Sequence, residues 1–186
     1  MQTINQKKGR WTLKQVIFLA IIAIFFGFIY EAWSFAYYAL AATPLKAVAN
    51  DATIGVWLMA GPLAGVLLQR IGASTLGELL AATIEMLLFS SWGVGVLISG
   101  LIQGIGSELG FTLTGYKNWG RLGLTLSVIT STLVTFCYDL FASGYAQYSL
   151  SFLLVLFCVR LISIAFFSGV LVYWIKLLVE KSGLIK

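Results

Sequence analysis

The feature that most limits what this chain can become is a succession of apolar runs of helix length, each closed by a short polar break. They extend from about Leu13 to Phe35, Ile54 to Leu68, Ala73 to Phe89, Val94 to Leu113, Leu122 to Phe141 and Leu150 to Val179. A helix needs about 20 apolar residues to cross a bilayer, so 186 residues accommodate six spans and no large extramembrane domain. With 60% hydrophobic and only 10% charged residues, a water-soluble core could not hide so much apolar surface. The expectation is an all-α integral membrane protein, a six-transmembrane-helix bundle forming a single domain over residues 1–186.

Lys7, Lys8, Arg10 and Lys14 ahead of the run Val16 to Tyr30 imitate the charged and apolar regions of a signal peptide. The chain beyond Tyr30 is again membrane-type sequence, not a polar mature domain, so the first helix is expected to stay. A long outer connection is expected through Tyr37, Pro44, Lys46, Asn50 and Asp51 before the second helix. The turns at Gln69–Gly72 and Ser90–Gly93 are short.

The charges fix an orientation. Lys7, Lys8, Arg10, Lys14, Arg70, Lys117, Arg121, Lys176, Lys181 and Lys186 all fall on one side of the six spans, and only Lys46 lies in an opposite loop. The positive-inside rule therefore predicts both termini in the cytoplasm, in a multi-pass protein of the plasma membrane. The net charge of +5 sits at helix ends and argues against nucleic acid. With no histidine and both cysteines, Cys137 and Cys158, inside apolar runs, metal centres and His-dependent catalysis lack their usual residues, so no metal, no cofactor and no enzymatic activity are expected.

Ionisable residues inside spans are costly, about 2.5 kcal/mol or more each, and mark bundle interiors, pathways or buried pairs. Assigning depth at about 1.5 Å per residue, Glu31, Asp51, Glu85 and Asp139 gather toward the outer face, among Trp57, Trp92, Tyr37, Tyr138 and Tyr145. Each ring alone fits an interfacial aromatic belt. Together with carboxylates they suit a flat organic cation, with rings on its face and an acid on its polar edge. The predicted ligand contacts are Glu85, Trp57, Trp92, Asp139, Tyr145, Tyr138, Glu31 and Tyr37.

Deeper toward the cytoplasmic side, Glu78, Gln103 and Glu108 form a predicted structural polar layer with Arg160, the one base well inside a span. A guanidinium there needs an acid; Asp139 is nearest in sequence, with Glu85 and Glu108 as alternatives. Small residues spaced by four permit close helix contact. Helix one carries two such pairs in succession, Ala23 with Gly27 and Ala32 with Ala36, and is the predicted docking face for another membrane protein.

Several segments taken in order resemble a known family. They are Gly55-Val-Trp57; Gly72-Ala73 followed by Glu78 and Glu85; Gly100 through Gln103-Gly104-Ile-Gly106 to Glu108; Tyr138-Asp-Leu-Phe141 with Ser143-Gly-Tyr-Ala146; and Arg160-Leu-Ile-Ser163. The chain resembles the S components, the membrane substrate-binding subunits of energy-coupling factor (ECF) vitamin transporters, in their thiamine and hydroxymethylpyrimidine branch. The resemblance implies a six-helix subunit that binds thiamine or its pyrimidine precursor from outside and works with a transmembrane T component and two cytoplasmic ATPase domains. The sequence carries no nucleotide-binding motif, so ATP would be used by those partners. The alternative reading of the acids is a stand-alone proton-coupled transporter of organic cations.

Overall fold

The structure, a computed structural model, describes residues 11–183. Lys7, Lys8, Arg10 and Lys186 lie outside the described residues. Among the described residues eight α-helices form the bundle: α1 Leu13–Ala41, α2 Lys46–Trp57, α3 Ala60–Leu68, α4 Ala73–Leu87, α5 Gly95–Leu113, α6 Arg121–Ala142, α7 Leu150–Ile164 and α8 Val172–Lys181. α2 and α3 together make one span, as do α7 and α8, which are joined by the π-helical stretch Ala165–Leu171. Five spans among these residues are long and apolar enough to cross a membrane. The sixth member, α4, has 15 residues and is about 22 Å long.

The first outer connection is not long. α1 runs on to Ala41 and α2 starts at Lys46, leaving only Ala42–Leu45 between them. Thr43 and Pro44 end α1, but the polar residues expected in a loop, Asn50 and Asp51, belong to α2 and face partners inside the bundle. The extension of α1 also brings Tyr37 and Tyr38 into a helical register with Tyr30.

The second span is broken, and Pro62 explains why. A proline at position 62 has no N–H for the carbonyl of Leu58, four residues earlier, and its ring crowds that carbonyl. The Ser168 hydroxyl, on the π-helical stretch, donates to the carbonyls of both Leu58 and Gly55 at 2.9 Å. On the other side of the break, the Ala60 N–H donates to the Tyr30 hydroxyl at 3.0 Å and the Gly61 N–H to a Glu78 oxygen at 2.7 Å. The backbone groups released by the break are thus answered by three other spans, as an apolar surround requires.

Close approaches hold the bundle around this break. Gly55 abuts Ser163, whose hydroxyl accepts the Gly55 N–H at 3.1 Å and donates to Ala52 O at 2.8 Å; a Cβ at Gly55 would collide with the Ser163 backbone. Gly100 and Gly104 let α5 lie against Ala82 and Thr75 of α4. The main apolar core, with Phe26, Met59, Leu63 and Phe111, lies inward of the break, between α1, α3, α4 and α5. A cavity lies at the other end of the bundle.

Ala23 and Gly27 do not form a free docking face. Both are buried, and Gly27 presses on Ile84 and the Ala81 carbonyl of α4. Small residues here close an internal contact. Ala32 is exposed and Ala36 half-buried.

Candidate functional site

Residues of α1, α2, α4, α5 and α6, with the loops that join them, enclose a cavity of about 730 Å³. It opens at the end opposite Thr12, Lys14 and Glu180, which share a groove where the chain's two described ends meet. Its walls differ in chemistry.

One wall is aromatic and carries a carboxylate. Glu85, in the last turn of α4, is buried and accepts a hydrogen bond from the Trp57 indole at 3.1 Å. No ion pair to Glu85 exists among the described residues. Beside it Tyr37 and Trp92 meet edge to face at 5.0 Å, and Tyr38 stacks on Trp92 at 5.8 Å and 11°. Trp92 sits on the α4–α5 loop, pinned by its indole N–H on Ser34 Oγ at 3.4 Å and by the Tyr38–Ser91 hydroxyl contact. Tyr30 and Tyr37, seven residues apart on α1, share the face that lines the cavity.

Another part of the lining, with Asn50, Asp139 and Tyr145, is backed by an ionic network. Arg160 of α7, wholly buried, divides its guanidinium: Nε donates to Asp51 Oδ1 at 2.7 Å and one terminal nitrogen to Asp139 Oδ2 at 2.5 Å. The sequence left open which acid answers Arg160; in the structure two do, and neither Glu85 nor Glu108 is one of them. Asp51 Oδ2 accepts from the Tyr145 hydroxyl at 2.8 Å, Asp139 Oδ1 from Ser143 at 2.6 Å, and Asn50 bridges Asp139 and Tyr145 at 3.3 and 3.2 Å. Burial, reinforced by the Asp51 carboxylate, pushes the Tyr145 phenol above the usual tyrosine range, so it stays a donor at neutral pH.

Comparison with known proteins fits this architecture. Residues 14–134 match the family described as "ABC-type cobalt transport system, permease component". The chain is 33% identical over 161 residues to YkoE of Bacillus subtilis (strain 168), assigned as an HMP/thiamine permease protein, covering 87% of this chain and 80% of that one. Its fold matches the crystal structure of an S-component of an ECF transporter with a TM-score of 0.88 at 31% identity, over 94% of this chain and 88% of the other. The chain is an ECF-transporter S component. It is accordingly a multi-pass plasma-membrane transport protein, and its relatives are not enzymes.

In this S component the predicted residues Glu85, Trp57, Trp92, Asp139, Tyr145, Tyr138 and Tyr37 all line the cavity. Glu31 does not: it follows Tyr30, and one step along a helix turns a side chain about 100° from its neighbour. Gln103, expected in the deeper layer, lines the cavity instead, on the face of α5 that also presents Val96 and Ser99. The deeper acids form two separate clamps. Glu78 accepts from Tyr30 OH at 2.6 Å and from the Gly61 N–H, whereas Glu108 accepts the N–H groups of Gly72, Ser74 and Thr75 at the start of α4, at 2.8, 2.9 and 3.1 Å. Sequence reasoning misses Asn50 as a lining residue because it expects a loop there, and misses the helix break although Pro62 signals it.

Proposed function

We propose that this S component captures thiamine, or its hydroxymethylpyrimidine precursor, from the outer side of the membrane and delivers it to a transmembrane T component driven by two cytoplasmic ATPase domains. The observation that carries the reading is Glu85: a carboxylate without a cationic partner among the described residues, held by a single indole donor at the edge of an aromatic cavity. An aminopyrimidine presents adjacent donors on a flat ring, so Glu85 accepts from that edge while Trp57, Trp92 and Tyr37 cover the faces. The relative assigned as an HMP/thiamine permease supports this ligand class.

The family description mentions cobalt, but the donor set does not suit a metal cargo. The sequence has no histidine, and no group of three potential ligands comes together among the described residues. The orientation rests on charge. Among the described residues Lys14, Arg70, Lys117, Arg121, Lys176 and Lys181 lie at the end away from the cavity, with Lys46 alone at the mouth, so the mouth faces outward.

The test is titration of the purified chain with thiamine and hydroxymethylpyrimidine, after mass spectrometry of any small molecule carried through purification. Both should bind, and Glu85→Gln should weaken both at least tenfold. An unchanged dissociation constant in Glu85→Gln removes the assignment. Proton-driven uptake by the chain alone in vesicles, without partner subunits, would overturn the division of labour.

A further inference from the structure

α3 stands between the cavity and the groove at the other end of the bundle, and we propose that it is a movable strut that reports ligand occupancy there, with the Tyr30 hydroxyl as its coupling. The inference rests on the thiamine-type reading above and concerns what a bound ligand does to the bundle, not which ligand is chosen.

The two sides of the Pro62 break are held differently. α2 is pinned to the last span by its main chain and by Asp51, through Ser163, Ser168 and Arg160. At the start of α3 the N–H groups of Ala60 and Gly61 rest instead on two side chains, Tyr30 at 3.0 Å and Glu78 at 2.7 Å. The nine residues of α3 are all buried. Its side toward α4 and α5 is nonetheless small, with Gly61 near Ser107, Ala64 against Gly77 and Gly65 against the Phe111 ring. Over its first two turns α3 therefore meets these neighbours through small residues, a surface along which a helix can shift by about 1–2 Å.

Tyr30 belongs to the cavity as well as to α3. It lines the cavity, is only 1% exposed, and its hydroxyl donates to Glu78 at 2.6 Å while accepting the Ala60 N–H. Phe26 lies beside the ring at 5.8 Å. A ligand filling the cavity meets this ring, limits its motion and so steadies the hydroxyl on which α3 starts. α3 itself gives no residue to the lining, so Tyr30 makes the connection. At its far end, about 13 Å away, α3 supplies Val66, Leu67 and Leu68 to the groove of about 400 Å³ that also holds Lys14 and Glu180. Gln69 follows in the left-handed conformation, at φ 50°, and lines the same groove. A helix is a rigid element, so a shift set at Ala60 is delivered to that groove. Tyr30 is thus a positioning residue that acts on the groove through α3.

The experiment reads the far end of α3 on the full chain in detergent. Gln69 is exposed, so Gln69→Cys in a background of Cys137→Ala and Cys158→Ala places a single thiol on the groove. Its rate of reaction with a maleimide is measured with and without saturating thiamine or hydroxymethylpyrimidine, binding being established by titration. Bound ligand should change that rate by about fivefold or more and slow hydrogen exchange at Ala60 and Gly61 by a similar factor, a comparison that needs no change at position 30. Adding Tyr30→Phe, which keeps the ring and removes the hydroxyl, should leave binding of both probes nearly unaltered and abolish both responses. Binding with no change at position 69 would overturn this inference and leave the thiamine-type reading standing, as would equal responses with and without the Tyr30 hydroxyl. If neither probe binds the parent chain, that reading falls and this inference with it.

Discussion

The outer and inner halves of this bundle both bury carboxylates, yet they treat them oppositely. In the inner half the two buried acids, Glu78 and Glu108, have both oxygens occupied by neutral donors of the protein. Glu78 holds Tyr30 and the start of α3, and Glu108 holds three N–H groups at the start of α4. These carboxylates lie at helix beginnings, where partial positive charge and free N–H groups favour an anion. In the outer half Glu85 keeps one donor and open capacity toward a cavity, and Asp139 shares one guanidinium with a second acid. The contrast teaches that an acid in a membrane span is not informative by its presence. What separates a brace from a receptor is how many of its acceptor positions the fold already fills.

Four substitutions test that distinction, taken from the largest effect downward. Arg160→Ala leaves Asp51 buried without a counter-charge and should cost about 3–5 kcal/mol, read as failure to recover folded chain or a large fall in the thermal unfolding midpoint. Glu108→Ala strips the start of α4 of its acceptors and should cost about 2–3 kcal/mol while the cavity stays intact. A stability loss as large from Glu85→Gln would break the comparison, because that change is expected to act on affinity, at least tenfold or about 1.4 kcal/mol, with little change in unfolding. Ser168→Ala withdraws the donor serving Leu58 and Gly55 and should cost about 1–2 kcal/mol, measured in the same thermal assay.

Much of the fold is legible in the sequence because lipid imposes simple rules: the apolar runs mark the spans, and the motifs from Gly55 to Ser163 mark the family. The errors come where polar residues serve the interior. Asn50 and Asp51 resemble loop residues because their partners, Asp139, Tyr145 and Arg160, lie about 90 to 110 positions away in the chain, out of reach of any local pattern. Gly27 and Ala23 read as an outward docking face because spacing by four identifies a close contact without saying which helix makes it. Pro62 is the one visible sign that the second span is two helices. Helical phase alone separates Glu31 from Tyr30.

The repair of that break has a bearing on how the molecule is made. α2 depends on the last span at three levels: Asp51 on Arg160, Gly55 and Ala52 on Ser163, and the Leu58 carbonyl on Ser168. During synthesis the second span emerges 109 residues ahead of its complement, counted from Asp51 to Arg160. Until the ribosome has delivered the C-terminal span, the early one must hold its unmet polar groups near water or borrowed partners. The span Leu150–Lys181 therefore holds the second span in the manner of a clasp.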